Sequence, residues 1–459
     1  MTQTEAAFFM TECTQQSFGF EGHFSREVRA DFDGGQQSSD GGGLLLRETD
    51  RRLNVLSRFA ACFVDGRDPE RIDHPVDEMV AQRAYGIALG YEDLNDHEQL
   101  RHDPLLAMMA GRKDPESALA GKSTLNRLEL STKKPDRYKK ILCNEEAVDR
   151  LMVDVFVESH SQAPVQIVLD LDSTDFAIHG RQEGRFFHGF YDQYCYLPLY
   201  IFCGTQLLGV RLRQSNIDGS AGALKEIQRI VGHIREHWPG VRIILRADSG
   251  FCRDGLMSWC EGNRLDFVFG LARNSRLETL LGPQLQEAAA EFARTQQRAR
   301  IFTEFEYSTL DSWSCSRRVI AKAEHIEGKA NPRFIVTSLT AAEWLPQQLY
   351  EVFYCARGNM ENRIKEQLSL FADRVSAETM QANQLRIYFS AIAYLLVDGL
   401  RRLALTGTEM AHAQVQTIRL RLFKIGAQLR ITVRRIWISM ASSYPYQQLF
   451  RHAWAMLRA

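Results

Sequence analysis

No acidic residue follows Glu409 in this chain of 459 residues. The eight basic residues beyond it, Arg419, Arg421, Lys424, Arg430, Arg434, Arg435, Arg451 and Arg458, leave −9 on the rest of a chain whose net charge is only −1. Such a block suits either a phosphate-binding surface or a solvated helix face. Long apolar runs are also missing. None reaches the ~18 residues of a membrane span; the nearest, at 388–397, is interrupted by Ser390. The N-terminus has no basic stretch followed by an apolar one, so no secretory signal is expected. Cysteine offers no framework. The nine cysteines are scattered, odd in number and without zinc-finger spacing, which predicts free thiols in a reducing cytoplasm.

What is present is an ordinary globular balance, 45% apolar and 25% charged, long enough for two or three domains. Residues 1–43 are polar and glycine-rich, an arm of turns with little regular structure. Residues 44–150 read as a bundle of short helices, broken at Asp68-Pro69 and Asp103-Pro104. From Pro164 the pattern changes. The runs 165–169 and 241–245 are compact and β-branched, as buried strands are. A Gly- and aromatic-rich stretch (180–194) and further strand (196–210) lie between them. A helix over 220–237 is stopped by Trp238-Pro239-Gly240. Residues 160–271 are therefore the first part of a mixed α/β core. Residues 272–345 read as a mostly β insertion. Residues 346–405 read as the core's helical second part, and 406–459 as a basic helical tail.

Three acidic segments carry the chemistry. Asp172 follows the first buried run and precedes Ser173-Thr174. Asp248 follows the second and precedes Ser249-Gly250-Phe251. Strand C-termini are where α/β sheets place their sites, although an Asp also commonly just terminates a strand. The third is Glu361. Tyr354, Arg357, Glu361 and Lys365 recur at spacings of 3, 4 and 4, which puts them on one helix face. That face is either a ladder of weak ion pairs or one carboxylate between two phosphate-binding cations. Two strand-end aspartates and a helical glutamate would suit a pair of hard divalent ions.

These segments resemble the DDE transposases of bacterial insertion sequences, in the group with a Tyr-Arg-Glu-Lys signature helix. Asp172-Ser173-Thr174, Asp248-Ser249-Gly250-Phe251 and the Tyr354, Arg357, Glu361 spacing carry the resemblance. Ser38-Ser39-Asp40-Gly41-Gly42 and residues 179–200 are similar to the IS-thirteen-eighty branch of the IS-four superfamily. The family keeps its signature lysine seven positions after the glutamate. Leu368 stands there in this chain, and the nearest lysine is Lys365.

The resemblance implies an RNase H-like core interrupted by a β-rich insertion. It also implies Asp172, Asp248 and Glu361 as ligands of two Mg²⁺ or Mn²⁺ ions, and cut-and-paste excision and strand transfer. Terminal inverted repeats and target DNA would be the partners, in a homodimeric synaptic complex in the bacterial cytoplasm. Tyr354, Arg357, Lys365, Arg434 and Arg435 become DNA-contact candidates. Trp313, inside the insertion, is a candidate for a flipped base, although large aromatics more often simply pack. A catalytically silent DNA-binding descendant and a nuclease that cuts without joining are the alternatives. Gly121-Lys122-Ser123-Thr124 and His97, Glu98, His102 miss phosphate-loop and zinc-protease spacing. His233 and His237 stand four apart without an evident third ligand, and read as solvated or helix-end residues.

Overall fold

The computed structural model describes residues 17–130, 137–326 and 329–459. The first buried run opens strand β1 (Gln166–Ser173). It is followed by the antiparallel pair β2 (Leu199–Cys203) and β3 (Gln206–Arg211). The second run is β4 (Arg242–Ala247), succeeded by β5 (Asp266–Leu271). In the sheet these lie in the order β3-β2-β1-β4-β5. β2 runs antiparallel to both of its neighbours, β1 and β3, and β4 is parallel to both β1 and β5.

Residues 272–345 are not a separate module. Their strands, β6 (Ala299–Tyr307), β7 (Arg317–Ile326) and β8 (Arg333–Thr337), continue the same sheet in the order β5-β8-β7-β6. The short strand Lys329–Ala330 pairs with β7. The physical reason is the edge that β5 would otherwise expose; β8 pairs with it antiparallel from Val268 to Leu271.

The period of two along a strand divides the sheet's faces. Ile167, Leu169 and Leu171 of β1 join Ile243, Leu245 and Ala247 of β4 in one core. Helices α1 (Glu145–Glu158) and α2 (Ala223–His237) cover that face. α1 is started by Asn144, whose side chain accepts from the Ala147 amide at 3.2 Å. α2 buries the stripe Ile227, Ile230, Val231 and Ile234. Within α2, His233 is buried and lies against Asp154 of α1. It is therefore not a solvated residue, and a third candidate ligand does exist.

The intervening residues Val168, Asp170, Asp172, Ile244 and Arg246 take the opposite face, where Leu349, Tyr350 and Phe353 pack. The segment 347–375 is not one regular helix. It begins at Pro346–Gln348, widens to a π-type turn over Leu349–Tyr354, tightens over Cys355–Arg357, and becomes α3 (Gly358–Leu368). The helix α4 (Met380–Ala404) follows. It packs against Leu44–Leu53, Val55–Ala60 and Val76–Leu89, so the N-terminal bundle is built around a C-terminal helix.

Two further expectations change. The tail is not all helical: Ala427–Ile431 and Ile436–Met440 form a hairpin between the turn at 415–423 and the helix Gln447–Arg458. Alternating β-branched and aromatic residues there favour strand. Arg434 and Arg435 lie exposed at the hairpin's tip. Nor is the N-terminal arm without regular structure, because Phe18–His23 pairs with Arg26–Ala30 and Gln36–Ser38 adds to the tail hairpin. The glycine run after it is a close backbone contact. The Gly41 amide donates to the Ile425 carbonyl at 2.8 Å. A Cβ on Gly42 would meet the Leu422 carbonyl oxygen at 1.6 Å. Asp40 completes the joint with Lys424 at 2.7 Å and the Tyr91 hydroxyl at 2.6 Å.

No helix among the described residues is long and apolar enough to cross a membrane. The eight described cysteines are free.

Gly42→Ala should destabilise the protein by about 3 kcal/mol or more, because rigid backbone cannot yield to a methyl group. Gly426→Ala, with open space around its Cβ, should stay within about 0.5 kcal/mol of the wild type. Urea unfolding followed by circular dichroism measures both.

Candidate functional site

Parallel pairing of β1 with β4 runs from Arg242 opposite Gln166 to Ala247 opposite Leu171. The next residues in register are Asp172 and Asp248. They stand side by side at strand C-termini on chains about 4.8 Å apart. Beneath them, the Arg246 guanidinium grips Asp170 with two hydrogen bonds, 2.6 Å and 2.8 Å long. A further guanidinium N–H donates to the Phe353 carbonyl. Asp170 is thus committed to structure, whereas Asp172 lies one step nearer the strand end.

Local contacts hold both aspartates. The Ser173 amide donates to Asp172 Oδ1 at 2.9 Å, and the Gly250 amide to Asp248 Oδ1 at 2.8 Å. The small residues after each Asp make these tight turns possible. Arg213 was not legible from sequence, since a lone arginine outside any motif carries no signal. Its buried guanidinium donates to the carbonyls of Leu197, Gly219 and Ala221 and to the Ser173 hydroxyl. It fixes the loop beside the end of β1.

The signature residues arrive from the helical segment above. Arg357 Nη1 lies 3.0 Å from Asp172 Oδ2, and its Nη2 lies 3.7 Å from Glu361 Oε1. The structure therefore joins Arg357 and Glu361 to the first aspartate. Tyr354 comes close to the turn after Asp248: a Cβ on Gly270 would stand 2.6 Å from the Tyr354 hydroxyl and 2.8 Å from the Ser249 amide nitrogen. Gly270 is a second residue that sequence reasoning missed; its role is the close approach itself. Lys365 lies exposed in the last turn of α3, away from any ion pair among the described residues. Trp313 lies on the β6–β7 connection, edge-on to Tyr307 at 5.7 Å with the Arg317 guanidinium 5.6 Å from its ring. Neither residue is brought to the carboxylates by a contact.

A three-stranded flap follows β1 in the chain, made of Phe176–Ala177, Phe186–His188 and Gln193–Tyr196. It presents Phe187, Phe190 and Tyr194 to solvent. Burial raises the Tyr191 phenol, and Asp175, Asp172 and Asp248 add to the rise. Tyr191 therefore belongs to the electrostatic neighbourhood of the site.

Charge is unbalanced here. Burial pushes the Asp172 carboxyl up to about 6. Arg357 and the Ser173 amide oppose that shift, while Asp248 and Glu361 reinforce it. Three carboxylates share one neighbouring arginine. An excess of oxygen donors of this kind fits hard divalent cations, which prefer carboxylates and retain water. Among the described residues, the one group of three whose ligand atoms all lie within 4.8 Å of one another is a different one: Asp154, His233 and His237.

A family model described as "Transposase DDE domain group 1" matches residues 20–459. No curated protein matches the chain. Among solved structures, the chain is similar to the cryo-EM structure of a piggyBac transposase synaptic complex with hairpin DNA. The likeness covers 82% of this chain and 78% of that one, at 11% identity and a TM-score of 0.41.

The raised Asp172 carboxyl means that the folded chain holds this proton more tightly than the unfolded chain does. The resulting stability is present below the ordinary carboxylate range and is lost as pH rises to about 6. In protein freed of divalent ions, unfolding free energy should therefore fall between about pH 4 and pH 6 more steeply for the wild type than for Asp172→Asn. Urea titrations across that window measure the difference.

Proposed function

The chain belongs to the transposase DDE domain group 1 family, and we propose that it cuts and joins DNA as the cut-and-paste transposase of an insertion sequence. One observation carries the reading. Asp172 and Asp248 are in register at the ends of neighbouring parallel strands, and Glu361 is linked to Asp172 through Arg357. We read the order β3-β2-β1-β4-β5, with β2–β3 antiparallel and β4 and β5 parallel to β1, as an RNase H-like core extended along its β5 edge. The IS-thirteen-eighty assignment rests on the Ser38–Gly42 run and residues 179–200, and bacterial origin goes with it.

In this reading Asp172, Asp248 and Glu361 are the residues that would hold two Mg²⁺ or Mn²⁺ ions. Such ions supply an activated water or hydroxyl and charge for the leaving oxygen. Arg357 bridges Asp172 and Glu361. Its guanidinium is of the type that pairs with a phosphate. Tyr354, beside the Asp248 turn, positions the same backbone. In the first reaction, water oxygen bonds to phosphorus and the 3′-oxygen departs as a hydroxyl. In the second, that 3′-hydroxyl attacks another phosphodiester and a new 3′-oxygen leaves.

The exposed flap aromatics offer faces for unpaired bases. Trp313, packed on Tyr307, supports its loop. Arg434 and Arg435 at the tail hairpin's tip grip DNA backbone without reading sequence, and Lys365 serves as an outlying cation. Terminal inverted repeats and target DNA are the substrates, brought together by a homodimer.

Asp172→Asn, Asp248→Asn and Glu361→Gln should each abolish Mg²⁺-dependent cleavage of DNA carrying the element's ends, while gel-shift binding persists. Wild-type cleavage by any of the three would remove that residue from the ion site. Pre-cut ends with a free 3′-hydroxyl should integrate into a plasmid; cleavage without integration would leave a nuclease. Arg434→Ala with Arg435→Ala should weaken binding to all sequences alike and lower the salt slope by about 2. Deleting the tail is a poorer probe, because Leu422, Phe423 and Leu457 are core residues.

A further inference from the structure

We propose that Asp154, His233 and His237 bind a divalent transition-metal ion of the zinc class, at a site separate from the carboxylates of β1 and β4. His233 and His237 are four apart on α2 and so share a face. Asp154 reaches them from α1. One ligand atom from each lies within 4.8 Å of the other two.

The geometry around His233 points to a shared ligand. Its side chain is 4% exposed, and its Nε2 lies 2.8 Å from Asp154 Oδ1. Yet that nitrogen is buried with no hydrogen-bond partner. The two atoms are close but off the line that a hydrogen bond requires. Ligands of one ion converge on a common point instead of on each other, at ~2.0–2.2 Å from zinc.

The other carboxylate oxygen is already anchored. Asp154 Oδ2 accepts from Arg58 Nη2 at 3.3 Å. Arg58 is itself held by Glu158 through contacts of 2.6 Å and 3.0 Å. Ligating carboxylates are commonly oriented by such an outer partner. Two imidazoles and one carboxylate suit zinc and its neighbours, whereas magnesium prefers oxygen alone. His237 is exposed and leaves an entry path.

The site lies at the far end of the sheet from Asp248. His237 closes α2 just before β4 begins, and Asp248 follows the end of that six-residue strand. At ~3.3 Å per residue, roughly 20 Å separates them. An ion there would clasp α1 to α2, the two helices that cover the back of β1 and β4.

The test uses the full-length chain with Asp172→Asn, Asp248→Asn and Glu361→Gln, so the carboxylate site takes up no ion. Zinc is titrated alone against a chromogenic chelator, with no DNA present. One ion per chain should bind, and excess magnesium should not displace it. Cobalt should substitute and give the visible absorption of a four-coordinate site. Adding His237→Ala, an exposed change, should weaken zinc binding at least about tenfold and remove the cobalt band. Zinc should raise the melting temperature only where His237 is present. Failure to bind zinc, or binding unchanged by His237→Ala, would overturn the site and leave a His233–Asp154 ion pair. Neither result bears on DNA cleavage, which is measured on the other three residues.

Discussion

The buried pair between Arg246 and Asp170 fixes everything above it. Both side chains are nearly inaccessible, at 10% and 7% exposure. Removing one partner from such a pair typically costs about 3–5 kcal/mol, because the other charge is left buried and alone. The pair spans β1 and β4, so it resists slippage between them. A slip of one residue would send Asp172 into the apolar face occupied by Leu171. The same guanidinium holds the Phe353 carbonyl and lies 5.2 Å from the Phe353 ring. It therefore locks both the strand register and the helical segment that delivers Tyr354, Arg357 and Glu361.

One layer outward the electrostatics change character. Arg357 reaches Asp172 and Glu361, but Glu361 is 55% exposed. Solvent screens that second contact, and exposed pairs of this kind contribute little to stability. The inner arginine is held by two short hydrogen bonds in the core, whereas one of the outer arginine's two contacts is open to solvent.

Much of this was legible before the fold. The compact β-branched runs marked β1 and β4, and the aspartates that follow them fall at strand ends. The spacing from Tyr354 to Glu361 placed those residues together, even though the helix that carries them is irregular. What misled was composition without context. A basic tail looked helical because nothing in its charge pattern marks a hairpin, while Ile431, Ile436 and Ile438 did. A glycine run looked like loose turns, yet Gly41 and Gly42 are small because the backbone at 422–425 presses against them. The strands of 299–337 were correctly expected but not their destination, since pairing to the β5 edge is a long-range choice that no local signal records.

The sequence by itself determined the residue types and local periods: two strand-end aspartates, a helical glutamate beside an arginine and a tyrosine, and a positive tail. These follow from side-chain chemistry and from the repeats of strand and helix. Tertiary structure decided which charge does which task. Asp170 and Asp172 are two residues apart on the same face of one strand, and tertiary contacts pair the first with Arg246 and the second with Arg357. It also decided that Asp154, far from α2 in sequence, meets His233, because helix packing brings together residues that sequence distance keeps apart.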